Sequence, residues 1–239
     1  MSMPIESSVP ARVLVVAAHP DDPEFGFGGT AAAWAAAGSE IYYLVCTRGD
    51  KGSDDPTMLT ARLMQLRQSE QRAAAEVLGV KEVRFLDFKD GELTPSIELR
   101  RAIVRVIREL KPDALVTHDP ATLYGSDYIN HPDHRAVGQA ALDAVFPTAR
   151  DRLQYPEHQA EGLEPHKVLD VYMWGSLTPD FRVDISSTFD LKIESLLKHA
   201  SQVGKGDGLA DRLRERAKLL GEPQGIALAE AFRRIALRR

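Results

Sequence analysis

Arg12-Val13-Leu14-Val15-Val16-Ala17-Ala18-His19-Pro20-Asp21-Asp22 decides the fold. Its first seven residues are nearly all apolar, the pattern of a parallel strand covered on both faces. Pro20 fixes φ and removes a backbone donor, so the strand ends in a tight exit. The small, alanine-rich segment Gly28–Ala37 then reads as a helix stopped by Gly38. The alternation continues outward. Strand-like runs at Ile41–Cys46, Glu82–Leu86 and Ala114–Thr117 alternate with helix-like runs at Thr60–Leu78, Ser96–Leu110 and Arg135–Val145. Val168–Trp174 and Phe181–Ile185 read as later strands, and Leu191–Ala200, Leu209–Leu220 and Ile226–Leu237 as closing helices. This predicts an α/β fold with a Rossmann-like, doubly wound, mainly parallel sheet of order 3-2-1-4 plus later strands, in three layers.

The 239 residues suit one domain, 1–239, with a tail at 1–10 and later strands, loop and helices at 146–239. Asp50–Pro56 and Pro147–Pro165 are polar, proline-containing loops. The second is long enough to be a lid or substrate-facing segment, or an ordinary surface loop. With 44% hydrophobic and 27% charged residues the chain is ordinary globular protein, and a net charge of -5 gives no general attraction to nucleic acid. The single cysteine, Cys46, sits in a strand as a core residue and excludes an intramolecular disulfide. Met1–Pro10 lacks a signal-peptide pattern and no apolar run would span a membrane, so the expected location is cytoplasmic.

His19-Pro20-Asp21-Asp22 leaves strand 1 at the sheet edge where α/β proteins bind ligands. Two adjacent carboxylates both ionise comfortably only beside a cation or strong donors, although an Asp helix cap is the alternative. His131-Pro132-Asp133-His134 precedes a helix and places two histidines three positions apart; two surface histidines at a cap would read the same. In the order 3-2-1-4 both motifs meet at the switch point between strands 1 and 4. Two imidazoles, one carboxylate and an open position are typical of catalytic zinc, and a second carboxylate can serve as base.

At these residues the sequence resembles the PIG-L/LmbE family of metal-dependent N-deacetylases. Thr47-Arg48-Gly49-Asp50-Lys51-Gly52, Arg67-Gln68-Ser69-Glu70, Phe85-Leu86-Asp87 through Asp90-Gly91, and Pro112-Asp113 through Thr117-His118 extend the resemblance over about residues 11–145. It implies that His19, Asp22 and His134 bind the metal and that Asp21 is the general base. His131 would stabilise the oxyanion or protonate the leaving amine, with Asp133 orienting its ring. It further implies hydrolysis of an acetamide on an N-acetylglucosamine-type sugar, with Zn2+ as cofactor and Fe2+ or another divalent ion as alternatives. Arg48, Asp50, Tyr124 and Tyr128 are candidate substrate contacts; Arg48 would equally serve a structural salt bridge, and the tyrosines as pocket walls. His118 and Asp119 are read as supporting residues, and His158, His166 and His199 as surface residues. A homo-oligomer is expected from the resemblance and from an apolar C-terminal helix. The rival readings are a metal-dependent phosphoesterase and, from Gly26-Phe27-Gly28-Gly29, a nucleotide-binding module without hydrolytic chemistry.

Overall fold

The computed structural model describes residues 9–237, so residues 1–8 of the expected N-terminal tail lie outside the described residues. In chain order the elements are β1 (Arg12–Ala17), α1 (Asp22–Ala36), β2 (Glu40–Thr47), α2 (Thr60–Val77), β3 (Glu82–Phe88), α3 (Ile97–Leu110), β4 (Ala114–His118), α4 (Pro132–Asp143) and α5 (Pro156–Ala160). There follow β5 (Asp170–Trp174), β6 (Phe181–Asp184), α6 (Phe189–Leu197), α7 (Ala200–Val203), α8 (Leu209–Gly221) and β7 (Ala229–Ala236). The sheet order is β3-β2-β1-β4-β5-β7-β6. The first five strands run parallel, and β7 is antiparallel to both its neighbours. The expected 3-2-1-4 core is therefore present.

Alternation along β1 builds two cores. Leu14 and Val16 point to one face, against Ile103, Val104 and Ile107 of α3 and Val137 of α4. Val13 and Val15 point to the other, against Phe27 and Trp34 of α1 and the aromatic pair Tyr172 and Phe232. Successive strand side chains project to opposite faces, so an all-apolar strand needs helices on both sides. Helix α3 starts where Ser96 Oγ accepts from the Leu99 N–H at 3.1 Å. No helix among the described residues is long and apolar enough to cross a membrane.

Three expectations are corrected. Ile226–Leu237 is not a closing helix: Ala229–Ala236 is strand β7, inserted between β5 and β6. Its Ala-, Leu-, Glu- and Arg-rich sequence has high helix propensity, but pairing to two strands and burial of Phe232 override it. The apolar C-terminal helix expected to support an oligomer is thus sheet interior. Helix α1 starts at Asp22, ahead of the expected Gly28, so the glycine run lies inside a helix and not in a phosphate-binding loop. Residues 147–165 are no lid. Arg108 of α3 donates to the carbonyls of Thr148, Ala149, Asp151 and Gln154, and His166 Nε2 meets the Pro112 carbonyl at 2.7 Å. These contacts hold the segment beside the start of β4, at the opposite end of that strand from His118.

Candidate metal centre

Strand β1 lies beside β4, with Val16 paired to Thr117. His19-Pro20-Asp21-Asp22 therefore leaves the sheet next to His118, and the N-terminus of α4 folds over the same edge. The His19 ring lies 4.7 Å from that of His131 and 5.3 Å from that of His134, centroid to centroid. Asp22 stands between the motifs: Oδ2 is 3.4 Å from His19 Nδ1 and Oδ1 is 3.1 Å from His134 Nε2. Asp22 Oδ2 also accepts from the His19 backbone N–H at 2.7 Å.

Close approach of α4 depends on Gly138. A Cβ built there would lie 2.5 Å from the His118 carbonyl oxygen, a backbone atom that cannot swing aside. Gly138→Ala is expected to push α4 off β4, costing about 1–3 kcal/mol of stability as an overpacked site and weakening metal binding. Urea unfolding and metal titration of the purified variant check both; wild-type values in both would refute the close-packing account.

His19 has the strongest electrostatic demand. Its Nε2 is 3.1 Å from Asp133 Oδ2 and 3.2 Å from Asp90 Oδ1. Burial lowers its proton affinity, but Asp133, Asp22 and Asp90 outweigh burial and raise the pKa to about 12. A buried imidazole between three carboxylates is a site calling for positive charge. At that pKa both ring nitrogens carry protons; a cation replacing the proton on Nδ1 would meet a lone pair beside Asp22 while Nε2–H stays donated to Asp133, the carboxylate–histidine arrangement common behind metal-binding imidazoles.

Asp133 thus corrects an expectation. Its fully buried carboxylate accepts from the N–H groups of Gly91 at 2.7 Å and Leu93 at 3.1 Å, and pairs with His19. Its contact with His131 is through the backbone: the Asp133 N–H donates to His131 Nδ1 at 3.2 Å. That bond makes Nδ1 an acceptor and leaves the proton on Nε2. Burial, with the neighbouring His19, lowers the His131 pKa, which keeps the ring neutral.

Asp21 occupies the N-cap position of α1 but makes no side-chain cap bond, so its carboxylate is not used as a helix cap. Its φ of 92° lies in the left-handed region, costly for a residue with a Cβ. The strain is held from behind. Gln71 Oε1 accepts the Asp21 N–H at 2.9 Å, and Arg67 Nη2 donates to the Pro20 carbonyl at 2.8 Å and lies 3.5 Å from Asp21 Oδ2. Gln71 in turn donates to Glu24 at 2.8 Å, and Glu24 pairs with His199 Nε2 at 3.1 Å. Burial, reinforced by Asp22, raises the Asp21 carboxyl to about 7.

Among the described residues, three groups bring potential metal-binding atoms within 4.8 Å of one another: His19, His131 and His134; Asp22, His118 and His134; and His19, Asp90 and Asp133. The expected ligands His19, Asp22 and His134 run across the first two. His118 is less available than its position suggests. Its Nε2 accepts the Ala18 N–H at 3.2 Å, its ring stacks on His134 at 4.1 Å, and burial lowers its pKa to about 4.

A family model described as PIG-L, GlcNAc-PI de-N-acetylase, matches residues 14–145, the span that carries both motifs. The chain belongs to the PIG-L family. Diacetylchitobiose deacetylase of Thermococcus kodakarensis is 35% identical over 80% of this chain and 70% of its own length. The 1D-myo-inositol 2-acetamido-2-deoxy-alpha-D-glucopyranoside deacetylase of Rhodococcus jostii is 30% identical over 80% of this chain and 82% of its own. Among solved structures, N,N'-diacetylchitobiose deacetylase from Pyrococcus horikoshii superposes with a TM-score of 0.88 at 30% identity, covering 95% of this chain and 84% of that one.

In this PIG-L chain the four expected substrate contacts separate. Arg48 Nη2 is paired with Asp87 at 2.5 Å, the structural salt bridge. Asp50 Oδ1 accepts the Asp90 N–H at 2.9 Å and so fixes the loop that carries Asp90. Tyr124 is 63% exposed and bridges to Ile129 within its own loop; Ile129, not Tyr124, lines the cluster's cavity. Tyr128 lines that cavity beside His131.

Sequence reading gave His118 a supporting role but left Asp90 and Gln71 out of the site, and it placed His158 and His199 on the surface; both of those histidines are buried. One signal was available. Arg67, Glu70, Gln71 and Ala74 fall on one face of α2 and all are buried, so the polar members of that face needed polar partners.

Proposed function

We propose that this chain is a metal-dependent amide hydrolase that removes the acetyl group from an N-acetylglucosamine-type sugar or glycoside. One observation carries the reading: Asp22 bridges His19 and His134, with the His131 ring beside them and the Asp21 carboxylate near enough to Asp22 to be repelled by it. The names of the curated relatives point the same way. His19 through Nδ1, Asp22, and His134 through Nε2 would hold the cation, for which zinc is the choice that two nitrogens and one oxygen suit. Such an ion, when bound, polarises the amide carbonyl and acidifies water.

The protein's own groups supply the rest. Asp21, held in its strained conformation by Gln71 and Arg67, takes the proton from the attacking water. His131, neutral with its proton on Nε2, donates to the oxygen on which charge develops. Asp133 and Asp90 keep the His19 ring in one tautomer. The amide carbon–nitrogen bond then breaks, the amine takes a proton, and acetate leaves.

Acetate release from N-acetylglucosamine and N,N'-diacetylchitobiose tests the proposal. Protein stripped with a chelator is expected to be inactive and to recover with stoichiometric zinc. A metal present at one hundred times its Kd should also raise unfolding free energy by about 2.7 kcal/mol, read as an upward shift in Tm. Zinc-replete, folded protein that releases no acetate from any acetamido sugar would sink the reading.

A further inference from the structure

The two walls beside the His/Asp cluster differ as the two halves of an N-acyl sugar differ. Towards β2 and β3 the cluster is backed by polar groups, Arg67, Asp21 and Asp90, with Arg67 donating to the Gly49 carbonyl. Towards β4, β5 and β7 the cluster opens into a cavity of about 480 Å³. Past Phe25 and Trp174 its wall is Ile185, Leu213, Ala217 and Leu220, contributed by the segment after β6 and by α8. Of the charges along it, Lys192 and Glu230 engage each other. Lys192 Nζ is 2.5 Å from Glu230 Oε1 and donates to the Phe25 carbonyl at 2.7 Å. Glu230 accepts from the N–H groups of Gly29 and Thr30 as well, and Arg216 is exposed.

A cavity of about 480 Å³ is in the range that encloses a whole small-molecule ligand. An acetyl methyl would occupy only the part nearest His134. Sugar hydroxyls gain hydrogen bonds on the polar wall and would go unsatisfied against the apolar one, where a hydrocarbon chain loses nothing. We infer that this chain hydrolyses N-acyl sugars bearing a linear acyl group longer than acetyl, with the acyl chain running past Phe25 and Trp174 to the Ala217–Leu220 face of α8. This rests on the amide-hydrolase reading above. The reaction balances as before: water oxygen forms the new carbon–oxygen bond and the amide carbon–nitrogen bond breaks. Its electron pair goes to nitrogen, which takes a proton, and a fatty carboxylate and free amine leave.

The test compares kcat/KM of zinc-loaded protein for N-acetyl-, N-butyryl- and N-hexanoyl-glucosamine. Burial of each methylene should raise kcat/KM about threefold to fourfold through hexanoyl. Ala217→Phe is expected to lower the hexanoyl-to-acetyl ratio by at least about tenfold; Leu220→Trp does the same from the half-buried neighbouring turn should the first variant not fold. Quenching of Trp174 emission by acetate, butyrate and hexanoate should show affinity rising in the same order. Acetate release with rates falling from butyryl onward overturns this inference and leaves the deacetylase reading standing. A ratio unchanged in the folded variant overturns the placement of the chain, as an aglycone seated in the cavity would predict. Release of no carboxylate at all overturns both readings.

Discussion

Replacing Asp21 with asparagine is expected to lower kcat for acetamide hydrolysis by about 10²- to 10⁴-fold, the usual contribution of a positioned base, while metal content stays at the wild-type level. Asparagine is close in shape, its side-chain oxygen can still accept from Arg67, and the backbone bond to Gln71 is untouched. What it cannot do is take a proton from water. The pH profile gives a second readout. With the carboxyl raised to about 7 by burial and by Asp22, wild-type activity should climb as pH rises and Asp21 ionises. A cation on Asp22 offsets the repulsion, so the acid limb of the metal-loaded enzyme falls at or below about 7. That limb should be missing from the residual activity of the variant.

Stability moves the other way. A carboxyl whose folded pKa is raised penalises the folded state as pH rises through the interval between its unfolded and folded values, here from about 4 to about 7. Below that interval both states are protonated and no penalty exists. Metal-free Asp21→Asn protein should therefore be at least as stable as metal-free wild type at pH 7 and lose the difference near pH 4. Thermal melts across this range, set beside kcat and metal analysis, separate a catalytic carboxylate from a structural one. Full activity in the variant removes Asp21 from the mechanism.

The second large effect is on folding and metal affinity together. Asp133→Ala should destabilise the protein by about 3–5 kcal/mol, as when one partner of a buried charged pair is removed. Two backbone N–H groups, of Gly91 and Leu93, lose their acceptor, and His19 loses the partner of Nε2. With the ring no longer held in one tautomer, zinc affinity should fall by about 10- to 100-fold. Asp133→Asn keeps one acceptor oxygen and should recover part of the stability. Urea unfolding and zinc competition titration decide the matter; wild-type affinity in a folded Asp133→Ala protein would show that the carboxylate does not orient His19.

How far the site was legible follows from where each bond partner lies in the chain. His19, Asp21 and Asp22 could be placed because they stand where an all-apolar strand must stop, and His131 and His134 because a proline marks the helix start between them. Asp133 could not be assigned to His19, since its neighbour in sequence is His131 and only the fold around the Asp90–Leu93 turn brings Asp90 and Asp133 to that ring. Gln71 and Arg67 were hidden for the same reason: their partners are the backbone of residues far earlier in the chain.

By itself the sequence determined the parallel α/β core, the 3-2-1-4 order and the two motifs at its switch point. These depend on local periodicity and on residues whose geometry is covalent, such as Pro20 and Pro132. Tertiary structure alone decided three other matters: that Ala229–Ala236 is a strand, that residues 147–165 lie at the far end of β4, and that the cavity reaches α8. In each case the deciding free energy comes from buried contacts with distant segments. Glu230 illustrates it: a helix-forming residue in a helix-like sequence, buried in a strand beside two amides of α1 and the ammonium of Lys192.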